Sequence, residues 1–224
     1  MAQVMAQGAA ASALRNPVAE SFITCLENAR HETAPFDFWL LEDPLPEGYC
    51  EDIAKLPFPA PGAPNYNGRR ETNNATRVYF TPENQDRFSV CERVVEGFNS
   101  PRVRDAITSV TGADLTDGHL RIEYCQDTPG FWLEPHTDIF VKKFTMLVYL
   151  LDDPLLANAG TDIHDGPPDH RYVTTAPYAK NKGVIFIPGK DTWHAVGHHP
   201  LKALRKSIII NFVTSAWRDK WELA

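Results

Sequence analysis

No run among the chain's 224 residues is long and apolar enough to span a membrane. Its opening, MAQVMAQGAAASALRNP, lacks the basic start and apolar centre of a secretory signal. Cysteine is scarce, and Cys25, Cys50, Cys91 and Cys125 stand apart without a CxxC pair. That spacing excludes a zinc-finger framework and a dense disulfide scaffold, and it predicts buried, reduced thiols in a cytoplasmic protein. Positive charge is in deficit too. Lys and Arg number 22 against 29 Asp and Glu, a formal net charge of -7. Nucleic acid is therefore not the expected partner, because phosphate binding shows as a basic excess or stripe. Internal repeats and low-complexity tracts are missing. In such a chain the sequon Asn74-Ala75-Thr76 is an accident of composition.

What remains is enough for a sizeable core: 43% of the residues are hydrophobic and 11% of all residues are aromatic. Residues 1–35 read as a tail, partly helical through AESFITCLENARH. Residues 36–224 read as one domain. Phe36 to Leu41 suit a strand, followed by a turn at Asp43-Pro44 and a helix with Pro46 in its first turn. Leu45, Cys50, Ile53 and Leu56 give that helix its apolar face. The segment from Thr81-Pro82 to Gly112 holds two helical stretches. After Asp114 the texture changes to short β-rich runs, HLRIEYC, FTMLVYLL, GVIFIPG, WHAV and SIIINFV, between Gly, Pro and Asp clusters. The expected class is α+β, with helices over about 36–112 buttressing an antiparallel sandwich or barrel over about 114–217.

Within EPHTDIF, His136 and Asp138 are two positions apart in a strand-like run, so both face the same way. Facing out, they would be an ordinary solvated edge. Facing in, they need a partner that neutralises the carboxylate and uses the imidazole, and a metal ion does both. A third ligand is then required. His164 alternates on a strand-like run, and His198 and His199 sit in a turn sequence before Pro200. His194, in DTWHAV, follows an apolar strand, with Trp193 and Val196 free to pack while the imidazole looks elsewhere. Ten residues after it, RKSIIINFV opens with Arg205 and Ser207, again an i, i+2 pair. A buried guanidinium needs an anion with good geometry. Either an internal Asp or Glu supplies one, or the pair cradles a ligand carboxylate.

His-x-Asp, a distal His, and Arg-x-Ser in a β-rich frame together resemble the iron(II)- and 2-oxoglutarate-dependent dioxygenases. The runs FDFWLLEDPLPEGYCEDIAKL and LRIEYCQDTPGFWLEPHTD are similar to the prolyl-hydroxylase-like branch. The resemblance implies a double-stranded β-helix, a jelly roll with the site in its mouth. It implies that His136, Asp138 and His194 bind Fe(II), leaving open positions for 2-oxoglutarate and O2, with ascorbate as a candidate reductant. Arg205, helped by Ser207, Tyr149 and Thr145, would fix the far carboxylate of 2-oxoglutarate, with Tyr124 a further candidate. Decarboxylation to succinate and CO2 would be coupled to hydroxylation of the substrate. NAGTDIHD departs from the Gly-Gly turn of many relatives, and arginine stands where collagen-type prolyl hydroxylases use lysine.

Two other classes compete. A zinc or other divalent-metal cupin-like hydrolase or isomerase could use the same His-Asp-His set, but it has no need of a carboxylate cradle. A non-catalytic jelly-roll binding module leaves the titratable residues unexplained. The loop Asn67 to Arg77 is dense in hydrogen-bonding groups. As a substrate contact it would act through Arg69, Arg70, Asn74 and Arg77 and favour a polar or anionic substrate, small or peptidyl.

Overall fold

The structure, a computed structural model, describes residues 15–62, 66–69, 77–197 and 201–224. Helix formation follows local signals. Asn16 caps α1 (Pro17–Glu27): its Oδ1 accepts from the amides of Val18 at 2.9 Å and Ala19 at 3.3 Å. Thr81 and Ser100 cap α3 (Pro82–Arg87) and α5 (Pro101–Thr111), each followed by proline. Gly112, at φ 73°, closes α5 in the left-handed region that glycine occupies without strain. The expected pair of helices between Thr81 and Gly112 is thus three, because α4 (Ser89–Asn99) is set off by non-helical Phe88 and Ser100. The short α2 (Tyr49–Ala54) buries Cys50 and Ile53 as expected, but it starts after Gly48, so Pro46 is not in its first turn and Leu45 and Leu56 lie outside it.

The expected tail is part of the domain from Pro17 onward. Val18, Phe22 and Leu26 are buried, and Phe22 packs on Phe98 of α4 with ring centroids 4.9 Å apart. Burial of each such side chain contributes about 1.5–3 kcal/mol. Contact between these helices depends on Gly97, where a Cβ would lie 2.8 Å from that of Val18. β1 (Arg30–Glu32) then pairs with β2 (Phe38–Glu42).

Two sheets carry the rest. The larger has the order β1-β2-β9-β6-β11-β4-β3, and the smaller β5-β10-β7-β8, with every pairing between these strands antiparallel. The larger contains β3 (Val78–Tyr79), β4 (His119–Asp127), β6 (Lys142–Tyr149), β9 (Lys182–Phe186) and β11 (Arg205–Val213). The smaller contains β5 (Leu133–His136), β7 (Thr161–His164), β8 (Tyr172–Ala176) and β10 (His194–Val196). This is the jelly-roll core expected of the β-rich half. One face of the larger sheet, with Ile122, Tyr124, Met146, Val148, Ile208 and Ile210, packs on the helices. Its other face looks toward the smaller sheet, and there alternation places Arg205, Ser207 and Ile209 inside. All four cysteines are buried and free, and burial pushes the Cys25 thiol up to about 11. Among the described residues, no helix is long and apolar enough to cross a membrane.

Candidate metal and dicarboxylate site

β10 inserts between β5 and β7, which sets His194 directly across from both His136 and Ile163. The two imidazoles lie with ring centroids 4.4 Å apart. Ile163 belongs to the apolar cluster between the sheets, so His164, the next residue, points away from it; its Nδ1 bonds the His170 carbonyl at 2.7 Å. His198 and His199 lie outside the described residues. β5 ends at His136, so Asp138 sits just beyond the strand and not on it.

Backbone carbonyls fix both ring tautomers. His136 Nδ1 faces the Glu134 carbonyl at 2.8 Å and His194 Nδ1 that of Thr192 at 3.0 Å. A carbonyl only accepts, so each Nδ1 carries the hydrogen and each Nε2 the lone pair, the arrangement that suits metal ligation. Burial, aided by neighbouring His136 and opposed by Asp138, depresses the His194 pKa to about 3. Its unfolded value is about 6.5, so between those values the unfolded chain takes up a proton that the native chain refuses. Metal-free protein is therefore expected to lose stability as pH falls from 6.5 toward 3. Urea unfolding at pH 7.5 and 5 checks this. His194→Ala should show a smaller loss, and an equal loss would place the acid sensitivity elsewhere.

Asp138 is buried, with Lys142 Nζ 2.6 Å from Oδ1 and Thr145 Oγ1 donating to Oδ2 at 2.7 Å. Thr145 also accepts from Asn211 Nδ2 at 2.9 Å. Thr145, expected as a contact of 2-oxoglutarate, lines the cavity between the sheets and gives its one proton to Asp138. Among the described residues, no group of three His, Cys, Asp or Glu side chains stands ready in metal-holding geometry. The donor types, two imidazoles and one carboxylate, are nonetheless those that a non-haem iron(II) centre takes.

Arg205 is buried at the start of β11. Its Nε donates to the Ala159 carbonyl at 2.8 Å and its Nη1 to Asp127 Oδ2 at 2.7 Å. Among the described residues, neither its Nη2 nor the Ser207 hydroxyl has a hydrogen-bond partner. An internal aspartate and an open cradle thus coexist. Asp127 is shared with Arg77, whose Nη1 lies 2.9 Å from Oδ1, and Arg77 Nε reaches Glu123 at 3.3 Å. Arg77 is therefore an interior residue and not the loop contact its sequence position suggested. The chain of ion pairs continues through Arg121, at 2.6 Å from Glu123 and 2.5 Å from Glu222.

Tyr149 donates to Thr161 Oγ1 at 2.9 Å, with the Arg205 guanidinium carbon 5.3 Å from its ring centre. Tyr124 does not reach the site. It lies on the helix-facing side of β4, packs near Phe58 and points its hydroxyl at the Ala54 carbonyl, 3.5 Å away. Strand parity decides this: Glu123, Cys125 and Asp127 face inward, so Tyr124 cannot.

Between the sheets these groups line a cavity of about 40 Å³, with His136, Asp138 and His194 on its wall together with Arg205, Asp127 and Arg77. His136 and Asp138 also line an open cleft of about 670 Å³, bounded by Ile139, Phe140, Trp217, Arg218 and Arg69. His136 and Asp138 are thus common to the walls of both spaces. Arg70 and Asn74 lie outside the described residues. Sequence reasoning missed Asp127, Thr161 and Lys142. The alternation E-x-C-x-D ending HLRIEYCQD was the available signal for the first; Lys142, four residues beyond Asp138, had none of comparable strength.

Neither a family model nor a curated protein sequence matches the chain. Solved structures do. A Pseudomonas putida prolyl-4-hydroxylase matches at TM-score 0.53 and 16% identity, over 88% of this chain and 93% of that one. A Trichoplax adhaerens prolyl hydroxylase, in complex with a hypoxia inducible factor oxygen degradation domain peptide fragment, matches at 0.53 and 14%, over 88% and 90%. The non-heme alpha ketoglutarate dependent epimerase SnoN from nogalamycin biosynthesis matches at 0.50 and 15%, over 88% and 82%. The chain is thus built on the double-stranded β-helix fold shared by the prolyl-4-hydroxylases and other 2OG-Fe(II) oxygenases.

Proposed function

We propose that this protein is an iron(II)- and 2-oxoglutarate-dependent oxygenase that hydroxylates an unactivated C–H bond of a small polar or peptidyl substrate. One observation carries the reading. A histidine pair and an aspartate line an internal cavity bearing a buried guanidinium, and His136 and Asp138 also line an open cleft. In this reading His136 and His194 hold the metal through Nε2 and Asp138 through its carboxylate. Arg205 Nη2 and Ser207 Oγ receive the far carboxylate of 2-oxoglutarate, and Tyr149 orders the wall through Thr161. Iron and 2-oxoglutarate, when bound, supply the oxygen chemistry, with succinate and CO2 as co-products.

The chain's own contribution is position and dryness. Phe131, Leu147 and Ile209 line the cavity and exclude bulk water from it. Its present volume admits a few waters, less than a dicarboxylate needs, so the lining must widen as the cosubstrate enters. On the cleft side, Arg69 and Arg218 offer charge and the exposed Ile139 and Phe140 offer apolar contact, a mixture that suits either a polar small molecule or a peptide.

The test is succinate release from iron-loaded protein with 2-oxoglutarate and oxygen, screened across amino acids, peptides and sugar acids. Turnover is expected to require oxygen and to vanish on zinc substitution. Oxygen-independent turnover by the zinc form would instead make the protein a metal hydrolase or isomerase.

A further inference from the structure

The inward position of Lys142 is the product of an irregularity in β6. Phe144 pairs with Phe212 on β11, but the next ladder partner of β11, Val213, faces Lys142 and skips Lys143. The extra residue switches strand parity, so Lys142 turns inward while Lys143 reaches out toward Thr116 and Asp114. Both side chains of the Lys142–Asp138 pair are at most 3% exposed, and Nζ lies 2.6 Å from Oδ1. Lys142 also borders the open cleft beside Asp138.

We propose that Lys142 is a resident counter-ion that neutralises Asp138 in the metal-free protein and sets the metal affinity of the site. The proposal rests on the metal-centre reading above. Without metal, a buried carboxylate this deep needs a cation, and Lys142 is that cation. A divalent ion bound through the same carboxylate sits within a few ångströms of the ammonium. The two like charges repel in a site where little water screens them. Metal uptake therefore works against Lys142, and the ammonium swings toward the cleft when the ion arrives. Lys142 acts through Asp138 and is a positioning residue.

Titration of metal-free protein with Co(II), followed by its visible absorption, separates the possibilities. Lys142→Met and Lys142→Gln remove the charge, and each is expected to bind Co(II) about tenfold or more tightly than wild type. Lys142→Gln keeps a hydrogen bond to Asp138 and guards against a misfolded Met variant. Lys142→Arg keeps the charge and should stay within about threefold of wild type. Metal-free Lys142→Gln should melt lower than wild type, with a larger rise on adding Co(II). Equal or weaker Co(II) binding by the folded neutral variants overturns the role of Lys142 alone. A wild-type protein that takes up no Co(II) overturns the metal-centre reading itself.

Discussion

His194→Ala is expected to strip the chain of stoichiometric iron(II) while leaving it folded. Of the proposed ligands, His194 is the one whose loss the scaffold tolerates best: its imidazole is neutral, and truncation leaves no charge stranded. A cavity-forming change at a buried ring costs about 3–5 kcal/mol at most, to be checked by the melting temperature of the metal-free form. Two ligands then remain, too few to fix an ion against water. Asp138 is the harsher position. Asp138→Ala leaves Lys142 buried without the carboxylate it bonds, and breaking such a pair typically costs about 3–5 kcal/mol. Asp138→Asn keeps volume and an acceptor oxygen and is the better probe; it too should lose iron. Iron content by inductively coupled plasma measurement decides the matter. Full iron in His194→Ala would mean that another residue is the distal ligand.

Arg205→Ala should retain iron and lose most of its affinity for 2-oxoglutarate. Truncating one member of a buried, charge-assisted pair costs roughly 2–5 kcal/mol, or about 30-fold to several thousand-fold in affinity. The structure refines the expectation. Arg205 already spends Nη1 on Asp127 and Nε on Ala159, so Nη2 is the arm left for the ligand, beside the Ser207 hydroxyl. Arg205→Lys keeps the charge but must choose between Asp127 and the cosubstrate, so its affinity should fall between wild type and Ala. Ser207→Ala should cost about 1 kcal/mol, as one neutral hydrogen bond among several. Anaerobic titration of the iron(II) form, following the visible charge-transfer band of the chelate, gives these affinities. Unchanged affinity in Arg205→Ala would leave the histidines and Asp138 without their proposed cosubstrate.

Period two was legible on β11, where it turns Arg205 and Ser207 to the same inner face. It is not what brings His136 and Asp138 together, because Asp138 lies beyond the end of β5. The helix entry at Thr81-Pro82 and the helix end at Gly112 were legible because cap chemistry is local. What escaped were properties of pairing. That Tyr124 faces helices and Asp127 the cavity depends on which side of β4 the helical layer covers. That Lys142 and not Lys143 turns inward depends on a register shift against a strand some 70 residues later in the chain. That Thr145 serves Asp138 depends on a loop beyond the end of β5. Packing of α1 into the core followed from an apolar face that needed α4 and α5 as partners before it meant anything.

The alternation of β4 has a consequence for how the chain finds its pairing. Leu120, Ile122 and Tyr124 face hydrocarbon, while Arg121, Glu123 and Asp127 face the interior, where each is met by an opposite charge from another segment. A slip of one residue against β11 would exchange the two faces. Three ionised side chains would enter the apolar layer, and their partners Arg77, Arg205 and Glu222 would lose their counter-charges. Mutual apolar packing alone would tolerate such an error at modest cost, but separated buried charges do not. The row of alternating charges therefore works as a key that only the native alignment of the central strands can turn.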